Sequence, residues 1–149
     1  MKIAESSSWQ MSEMEEHLEQ QVIPIRLAVA DGEFPLICSV WYLWDEPTAS
    51  ILCASHENSY LVSRLQQSPK CGFEVAADNP PYKGVRGKAN VSLEREGVQD
   101  VLKNLISRYL SASNDGLADW LLSRVEQEYV LRIQPQWLTS WDYSSRMKG

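Results

Sequence analysis

The chain has 149 residues, 14 of them basic and 20 acidic, so its formal net charge at neutral pH is −6. This length fits a single domain, residues 1–149, with enough chain to bury a sizeable core. The acidic balance argues against nucleic-acid binding, which needs a basic surface. No run of about 20 apolar residues is present, which argues against a membrane-spanning segment.

The cysteines indicate a reducing compartment. Cys38, Cys53 and Cys71 are odd in number, lie in apolar stretches and include no Cys-x-x-Cys pair. This pattern is typical of free thiols in a core, not of a disulfide framework or a metal site. We therefore expect a cytoplasmic protein without a bound metal ion.

Helical periodicity predicts four helices. Residues 1–10 precede the first of them and are predicted to be a flexible N-terminus. Met11, Met14 and Leu18 fall on one face of the first helix, and Asn58 or Ser59 is placed to cap the second. The predicted helices cover residues 13–20, 58–67, 98–110 and 117–124.

Apolar and β-branched stretches predict six strands, over residues 23–30, 34–44, 49–55, 71–77, 85–93 and 128–133. The hairpin signal Asp31-Gly32 predicts that the first three form an antiparallel meander. Few connections contain a helix, which argues against a parallel, doubly wound fold. The sequence therefore predicts a mainly β protein with flanking helices, in the form of a small closed or partly closed barrel.

The second predicted strand, residues 34–44, is apolar on both faces. A strand with one face in water alternates polar and apolar residues, and this one does not. We therefore expect its second face to be covered by a helix, a ligand or a second subunit.

Two groups of polar residues are candidates for anion binding. Ser55 and Ser59 lie beside the start of the second predicted helix, where a phosphate would find free N–H groups, although Ser59 could simply cap that helix. Lys83, Arg86 and Lys88 cluster on the fifth strand and could bind a phosphate, or they could protect an exposed strand from aggregation.

Other chemistry is less well supported. Ser55-His56-Glu57 contains the residue types of a catalytic relay, but adjacent residues on an extended chain point in opposite directions and cannot form one. Several aromatic side chains could wall a planar ligand or belong to the core and a dimer interface: Trp41, Tyr42, Tyr82, Trp137 and Trp141.

The order and spacing of these motifs, from residue 23 to residue 142, resemble those of the pyridoxamine 5'-phosphate oxidase-like FMN-binding split-barrel family. The motifs that carry the resemblance are Arg26-Leu-Ala-Val-Ala-Asp-Gly, Val40-Trp41-Tyr42 after Pro35, Ser55 and Ser59 before a short helix ending in Ser68-Pro69, Pro80-Pro-Tyr-Lys-Gly-Val-Arg-Gly87, and Arg132-Ile-Gln-Pro135 followed by Ser140-Trp-Asp142.

The resemblance implies a six-stranded antiparallel split β-barrel that forms a homodimer, with FMN, or in some relatives F420 or haem, at the subunit interface. It places Val40, Trp41 and Tyr42 along the isoalloxazine ring and Ser55 and Ser59 near the phosphate. It closes the cofactor site with residues of the fifth strand and a C-terminal tryptophan, namely Tyr82, Lys83, Arg86, Lys88 and Trp141.

One departure from the family is informative. The oxidase proper begins its short helix with Ser-Arg-Lys, whereas this chain has Ser59-Tyr60-Leu61 and so lacks both cations. We therefore do not expect pyridoxamine 5'-phosphate oxidase activity. The expected function is a flavin-dependent oxidoreductase acting on a small molecule, with no assigned catalytic residue. The alternatives are a non-catalytic flavin- or haem-binding module and an F420-dependent reductase.

Overall fold

The computed structural model describes residues 1–148. Its strands are β1 (Lys2–Ile3), β2 (Ile25–Asp31), β3 (Phe34–Val40), β4 (Leu43–Asp45), β5 (Ser50–His56), β6 (Lys70–Ala76), β7 (Lys83–Glu94) and β8 (Glu128–Asp142). Its helices are α1 (Met11–Gln20), α2 (Tyr60–Gln67), α3 (Val98–Tyr109) and α4 (Asp115–Ser123). None of these helices is long and apolar enough to cross a membrane.

All eight strands belong to one sheet. Seven run antiparallel to their neighbours in the order β3-β2-β6-β7-β8-β5-β4, and β1 pairs in parallel with β8. The end strands β3 and β4 do not pair with each other, so the sheet is open. The predicted mainly β, antiparallel architecture with flanking helices is confirmed, but the strand count of six is wrong. Residues 2–3 add a strand, and the predicted strand 34–44 is divided into β3 and β4.

Both hairpins of the predicted three-strand meander are present, but they lie at opposite ends of the sheet because the predicted strand 34–44 is divided. β2 pairs with β3 around Asp31-Gly32, with Ala28 opposite Ile37. β5 pairs with β4, with Leu52 opposite Leu43, and on its other edge with β8. At Trp41 and Tyr42 the chain leaves β3, at one end of the sheet, and crosses to β4, at the other end.

β8 is much longer than the predicted strand 128–133, because it continues through Pro135 to Asp142. Proline has no N–H to donate to a ladder, so it normally marks an edge or a bulge within a sheet. Here the pairing with β7 shifts register between Lys88, opposite Trp137, and Ala89, opposite Pro135. The extra residue, Gln136, forms a bulge that lets the strand pass the proline.

The core lies between one face of the sheet and the helices α1 and α2. Its helical members are Met14, Leu18, Leu61, Val62 and Leu65, and they pack on inward-facing strand residues. Burial of each such side chain contributes about 1.5–3 kcal/mol to the free energy of unfolding. Helix α3 packs on β5 and buries Leu102 and Leu105.

The N-terminal residues, predicted to be flexible, contact the end of β8 in the structure. Lys2 and Ile3 pair with Trp137 and Leu138. The backbone N–H of Trp9 donates to the hydroxyl of Ser140 at 2.8 Å.

The close packing of β6, β7 and β8 generates the first prediction. A Cβ at Gly87 would lie 2.6 Å from the carbonyl oxygen of Trp137 and 2.7 Å from the ring of Phe73, whereas a Cβ at Gly72 would meet nothing closer than 3.8 Å. Gly87→Ala should therefore lower the free energy of unfolding by about 1–3 kcal/mol. The matched Gly72→Ala variant should stay within about 0.5 kcal/mol of the wild type. Urea denaturation of both variants measures this, and equal midpoints would contradict the packing described.

Candidate functional site

Tyr42 holds the break between β3 and β4. Its side chain is fully buried, and its hydroxyl donates to the carbonyl oxygens of Leu18 at 2.7 Å and Gln21 at 2.9 Å. Burial raises the pKa of Tyr42 far above its usual value. The side chain predicted to lie along a cofactor ring therefore lies in the core and anchors the chain there.

Helix α3 completes this anchor. The guanidinium of Arg108 donates to the same two carbonyl oxygens, Leu18 at 3.1 Å and Gln21 at 2.8 Å, and lies 5.2 Å from the centre of the Tyr42 ring. The ring of Tyr109 stacks on Trp41, with 5.2 Å between the ring centres and an angle of 5° between the planes. The position of Trp41 at the surface is therefore fixed by α3.

Four of the predicted site residues meet in one cleft of about 460 Å³, which we name the serine cleft: Val40, Trp41, Ser55 and Ser59. The cleft lies between the end of β3, the end of β5 and the helices α3 and α4. Its remaining lining residues are Pro24, Ser39, Ala54, His56, Leu102, Leu105, Leu117, Leu121, Arg124 and Glu128.

The two predicted serines contact each other. Their Oγ atoms are 2.8 Å apart, and the Ser59 hydroxyl accepts the N–H of Val62 at 3.1 Å, so Ser59 is the N-cap of α2. The residues that replace the family's two cations do not face this cleft. Tyr60 donates its hydroxyl to Asp31 at 2.6 Å, and Leu61 is buried in the core.

The charged side chains that line the serine cleft neutralise each other. Nε of Arg124 donates to the carboxylate of Glu128 at 2.9 Å, and Glu128 is only 4% exposed. Neither residue is among the site residues predicted from the sequence. Their only signal in the sequence is an opposite-charge pair four positions apart. Among the described lining residues, the cleft offers hydroxyls and an apolar wall but no unpaired Lys or Arg.

Arg86 and Lys88 lie elsewhere, in a second cleft of about 550 Å³ on the outer face of the sheet, which we name the cation cleft. It is lined by Arg26, Leu27, Ala28, Ile37, Gly72, Phe73, Glu74, Arg86, Gly87, Lys88 and Trp137. Their strand, β7, pairs with β6 on one side and β8 on the other. Protection of an exposed edge therefore does not explain these cations.

The remaining predicted residues are spread further. Lys83 lines a polar pocket of about 230 Å³ with Trp9, Glu13, Glu16, His17, Gln20, Gln21 and Asp142. Tyr82 is 47% exposed beside that end of β7. The Trp141 ring packs over Gly84, where an added Cβ would lie 2.7 Å from it. The chain therefore brings together the β3, β5 and α2 residues of the predicted site, but not those of β7 and β8.

The three cysteines are unbonded. Cys53 and Cys71 are buried and Cys38 is half-buried, which confirms free thiols. Burial raises the pKa of the Cys71 thiol to about 12, so it stays protonated and unreactive at neutral pH. Within residues 1–148, no group of three His, Cys, Asp or Glu side chains is placed to hold a metal ion.

Solved structures share this fold. A conserved hypothetical protein from Mycobacterium tuberculosis aligns with 100% of this chain and 94% of its own, at a TM-score of 0.77 and 15% identity. A proposed pyridoxamine 5'-phosphate oxidase from Listeria innocua aligns with 89% of this chain and 97% of its own, at a TM-score of 0.66 and 15% identity. The haem storage protein HutZ from Vibrio cholerae aligns with 86% of this chain and 92% of its own, at a TM-score of 0.65 and 18% identity.

The chain therefore has the split-barrel fold of the pyridoxamine 5'-phosphate oxidase-like proteins, as the sequence predicted. An F420 reductase and a FAD-binding protein from Mesorhizobium loti also have this fold, each at a TM-score of 0.64. Comparison with protein-family models and with curated protein sequences finds no match. At these identities the likeness establishes the fold and leaves the ligand to be argued from the clefts.

His17, in the polar pocket, generates a prediction about pH. It is 6% exposed, and its Nε2 donates to the carbonyl oxygen of Val75 at 3.0 Å. Burial lowers its pKa and so does nearby Lys83, while the Val75 hydrogen bond and Asp142 act in the opposite direction. The carboxylates of Glu13 and Glu16 line the same pocket.

Below pH about 6.5 the unfolded chain protonates this histidine while the folded chain resists, so stability is lost as the pH falls. The free energy of unfolding should decrease by up to about 1.4 kcal/mol per pH unit from this group, between pH 6.5 and its lowered pKa. His17→Gln keeps a donor for Val75 without a titrating group. Urea denaturation from pH 8 to 5 should show a smaller decrease for this variant, and parallel curves for the two proteins would contradict the prediction.

Proposed function

We propose that this protein binds a flavin-type cofactor, with FMN as the first choice, in the serine cleft and acts as an oxidoreductase on a small molecule. The observation that carries the proposal is the meeting of Val40, Trp41, Ser55 and Ser59 in one cleft. These residues come from two strands and a helix N-terminus, and they are the ones that the family resemblance assigns to the ring and the phosphate. The volume of about 460 Å³ lies within the usual range for small-molecule sites, about 300–1,000 Å³.

The cleft suits a flat, largely apolar ring. Trp41 forms one wall and is held rigid by its stack on Tyr109, while Leu117 and Leu121 of α4 form another. Rigid aromatic surfaces bind planar ligands with little loss of side-chain entropy. The hydroxyls of Ser55 and Ser59 lie at the polar end, where they can bind the cofactor's side chain. When bound, the flavin supplies the electron transfer, and the residues of this chain bind and orient it.

His56 favours a flavin over haem as the occupant. It is the histidine that lines the serine cleft, and a haem iron would need one of its ring nitrogens as a ligand. Its Nδ1 accepts the N–H of Asn58 at 3.1 Å, and its Nε2 lies 3.4 Å from Oε1 of Gln127. Both nitrogens are therefore already engaged, and haem ligation would cost these contacts.

Two exposed apolar residues on α4 provide a matched test of the cleft. Leu117 is 42% exposed and lines the serine cleft, whereas Trp120 is 53% exposed and does not. Leu117→Glu places a charge against the ring and should weaken FMN binding at least about ten-fold, because an apolar contact becomes a desolvated carboxylate. Trp120→Glu adds the same charge to the same helix and should leave the affinity unchanged. FMN titration followed by quenching of flavin fluorescence measures both.

This titration, the absorbance spectrum and a turnover assay together distinguish the candidate functions. Equal affinity of both variants would contradict binding in the serine cleft, and a purified protein with a Soret band would indicate haem. Reduction of the bound flavin by a nicotinamide donor, followed by reoxidation by an acceptor, supports an oxidoreductase. A flavin that is held without turnover indicates a binding module.

We also propose a homodimer with the cofactor sites at the subunit interface, in a reducing cytoplasm that suits the three free thiols. The support is the outer face of the sheet, where Ile37 on the end strand β3 is 67% exposed beside the small residues Ala28 and Gly72. An exposed isoleucine beside small residues offers apolar area that a second subunit can cover.

Ile37→Lys should convert the dimer into a monomer, because it would bury a further cation at the interface beside Arg26, Arg86 and Lys88. Tyr60→Lys, at a residue 56% exposed on α2, is the control and should leave the dimer intact. Light scattering at micromolar concentration measures the mass of each variant. A wild-type monomer would contradict the proposed interface.

A further inference from the structure

Positive charge is concentrated in the cation cleft of this acidic protein. Three cationic side chains line it, Arg26, Arg86 and Lys88, against one carboxylate, that of Glu74. Arg26 also lies 4.0 Å from the carboxylate of Asp78, so the local balance with Asp78 counted is +3 − 2 = +1, in a chain whose net charge is −6. The serine cleft shows the opposite situation, because its one guanidinium is paired with a buried carboxylate.

Arg86 and Lys88 of β7 are held in place but not neutralised. Arg86 lies 5.2 Å from the centre of the Trp141 ring, and Lys88 lies 5.4 Å from that of Trp137. Within residues 1–148, no carboxylate lies within 4.0 Å of either cation. Stacking on a tryptophan restricts a long side chain without satisfying its charge. Both groups are therefore positioned to bind an anion.

The two clefts adjoin along β2 and β3. On β3, Ile37 lines the cation cleft and Ser39 lines the serine cleft, two residues and about 7 Å further along the same face. Arg26 pairs with Ser39 across the ladder and lines the cation cleft, and its Nη1 donates to the carbonyl oxygen of Pro24, a residue of the serine cleft, at 2.8 Å. Arg26 therefore lies at the boundary between the serine cleft and the cation cleft.

Charged residues lie opposite each other across the neighbouring strands β2, β6 and β7. Arg26 lies opposite Glu74, and Glu74 lies opposite Arg86. Two strand spacings amount to about 10 Å, so a ligand with its ring in the serine cleft can extend a charged chain past Arg26 toward Arg86.

We propose that the cation cleft binds the anionic end, a phosphate ester or a carboxylate, of the ligand whose ring lies in the serine cleft. Arg26, Arg86 and Lys88 then take the place of the cations that are absent at Tyr60 and Leu61. Arg86 and Lys88, neither of which lies within 4.0 Å of a carboxylate among residues 1–148, match the two negative charges of a phosphate monoester dianion. This inference rests on the proposed function for the identity of the ring, and it moves the anion from the start of α2 to the face of β7.

FMN and riboflavin provide the test, because they have the same ring and sugar chain and differ only in the phosphate. We expect the wild type to bind FMN more tightly than riboflavin. Arg86→Gln and Lys88→Gln should each lower FMN affinity about ten-fold, with riboflavin affinity unchanged, since each removes one charge-assisted contact to the phosphate. Lys103→Gln, which removes the same charge from an exposed position on α3, should change neither affinity. Raising the ionic strength should weaken FMN binding only.

Several outcomes would overturn the inference. One is an unchanged ratio of FMN to riboflavin affinity in the Arg86→Gln, Lys88→Gln double variant. Another is a Ser55→Ala variant that alone abolishes the preference for FMN, because the phosphate would then lie at the start of α2. Thermal melting of each variant confirms that it is folded before it is titrated, and the two single variants test the cleft independently.

Failure of the proposed function gives a different result. If neither FMN nor riboflavin binds, the flavin proposal is wrong and the cation cleft is tested with pyrophosphate by calorimetry. Saturable pyrophosphate binding that the double variant loses supports an anion site in the cation cleft. Binding that survives in the double variant, or no binding to the wild type, overturns it.

Discussion

The hydroxyl of Tyr42 donates to the carbonyl oxygens of Leu18 and Gln21 at the end of α1, and the turn that it holds separates β3 from β4. A buried hydroxyl without partners costs about 1–3 kcal/mol, so this position is fixed by its acceptors as much as by its packing. Because the chain enters the core at Tyr42, β3 ends one side of the sheet and β4 ends the other. The same turn leaves Trp41, stacked on Tyr109, at the edge of the serine cleft. The opening of the sheet and the walls of the cleft therefore have a common cause.

Strand β7 has separate tasks on its two faces. Its inward face carries Gly87, whose missing side chain allows the Phe73 ring and the β8 backbone to approach closely. Its outward face carries Arg86 and Lys88, which contribute little to stability because exposed charges are screened by solvent. The requirements of packing and the capacity to bind an anion thus fall on alternate residues of one strand. A change in the charge of the outer face need not disturb the core.

Much of the fold could be predicted from the sequence, because periodicity and capping are local signals. The helices, the β2–β3 hairpin and the Ser59 cap all follow from residues within one or two turns of each other. The break between β3 and β4 at Tyr42 could not be predicted, since the carbonyl oxygens that accept its hydrogen bonds lie more than 20 residues earlier in the chain. In the sequence alone, Tyr42 is indistinguishable from an apolar residue within a continuous strand. The continuation of β8 beyond residue 133 could not be predicted either, because the bulge that accommodates Pro135 depends on the register with β7. For the site, the alternation of side chains along a strand already predicts that Lys83 faces the other side of the sheet from Arg86 and Lys88. The contribution of α4 to the serine cleft depends on tertiary packing and could not be predicted.

We call the residues that hold the fold together the frame. The frame is distinct from the residues that line the clefts, which explains why one fold accommodates different cofactors at low sequence identity. The frame in this chain depends on Tyr42, Arg108 and Gly87, whose contacts are to backbone atoms or to the core. The clefts depend on other residues, chiefly Arg86, Lys88 and the leucines of α4, whose contacts with the frame are few. Tyr60 and Leu61 at the start of α2 therefore leave the fold intact but supply no cation at that position. A chain with this frame keeps an anionic cofactor only if another part of its surface supplies the charge, and in this protein the outer face of β7 is where unpaired charge adjoins the serine cleft.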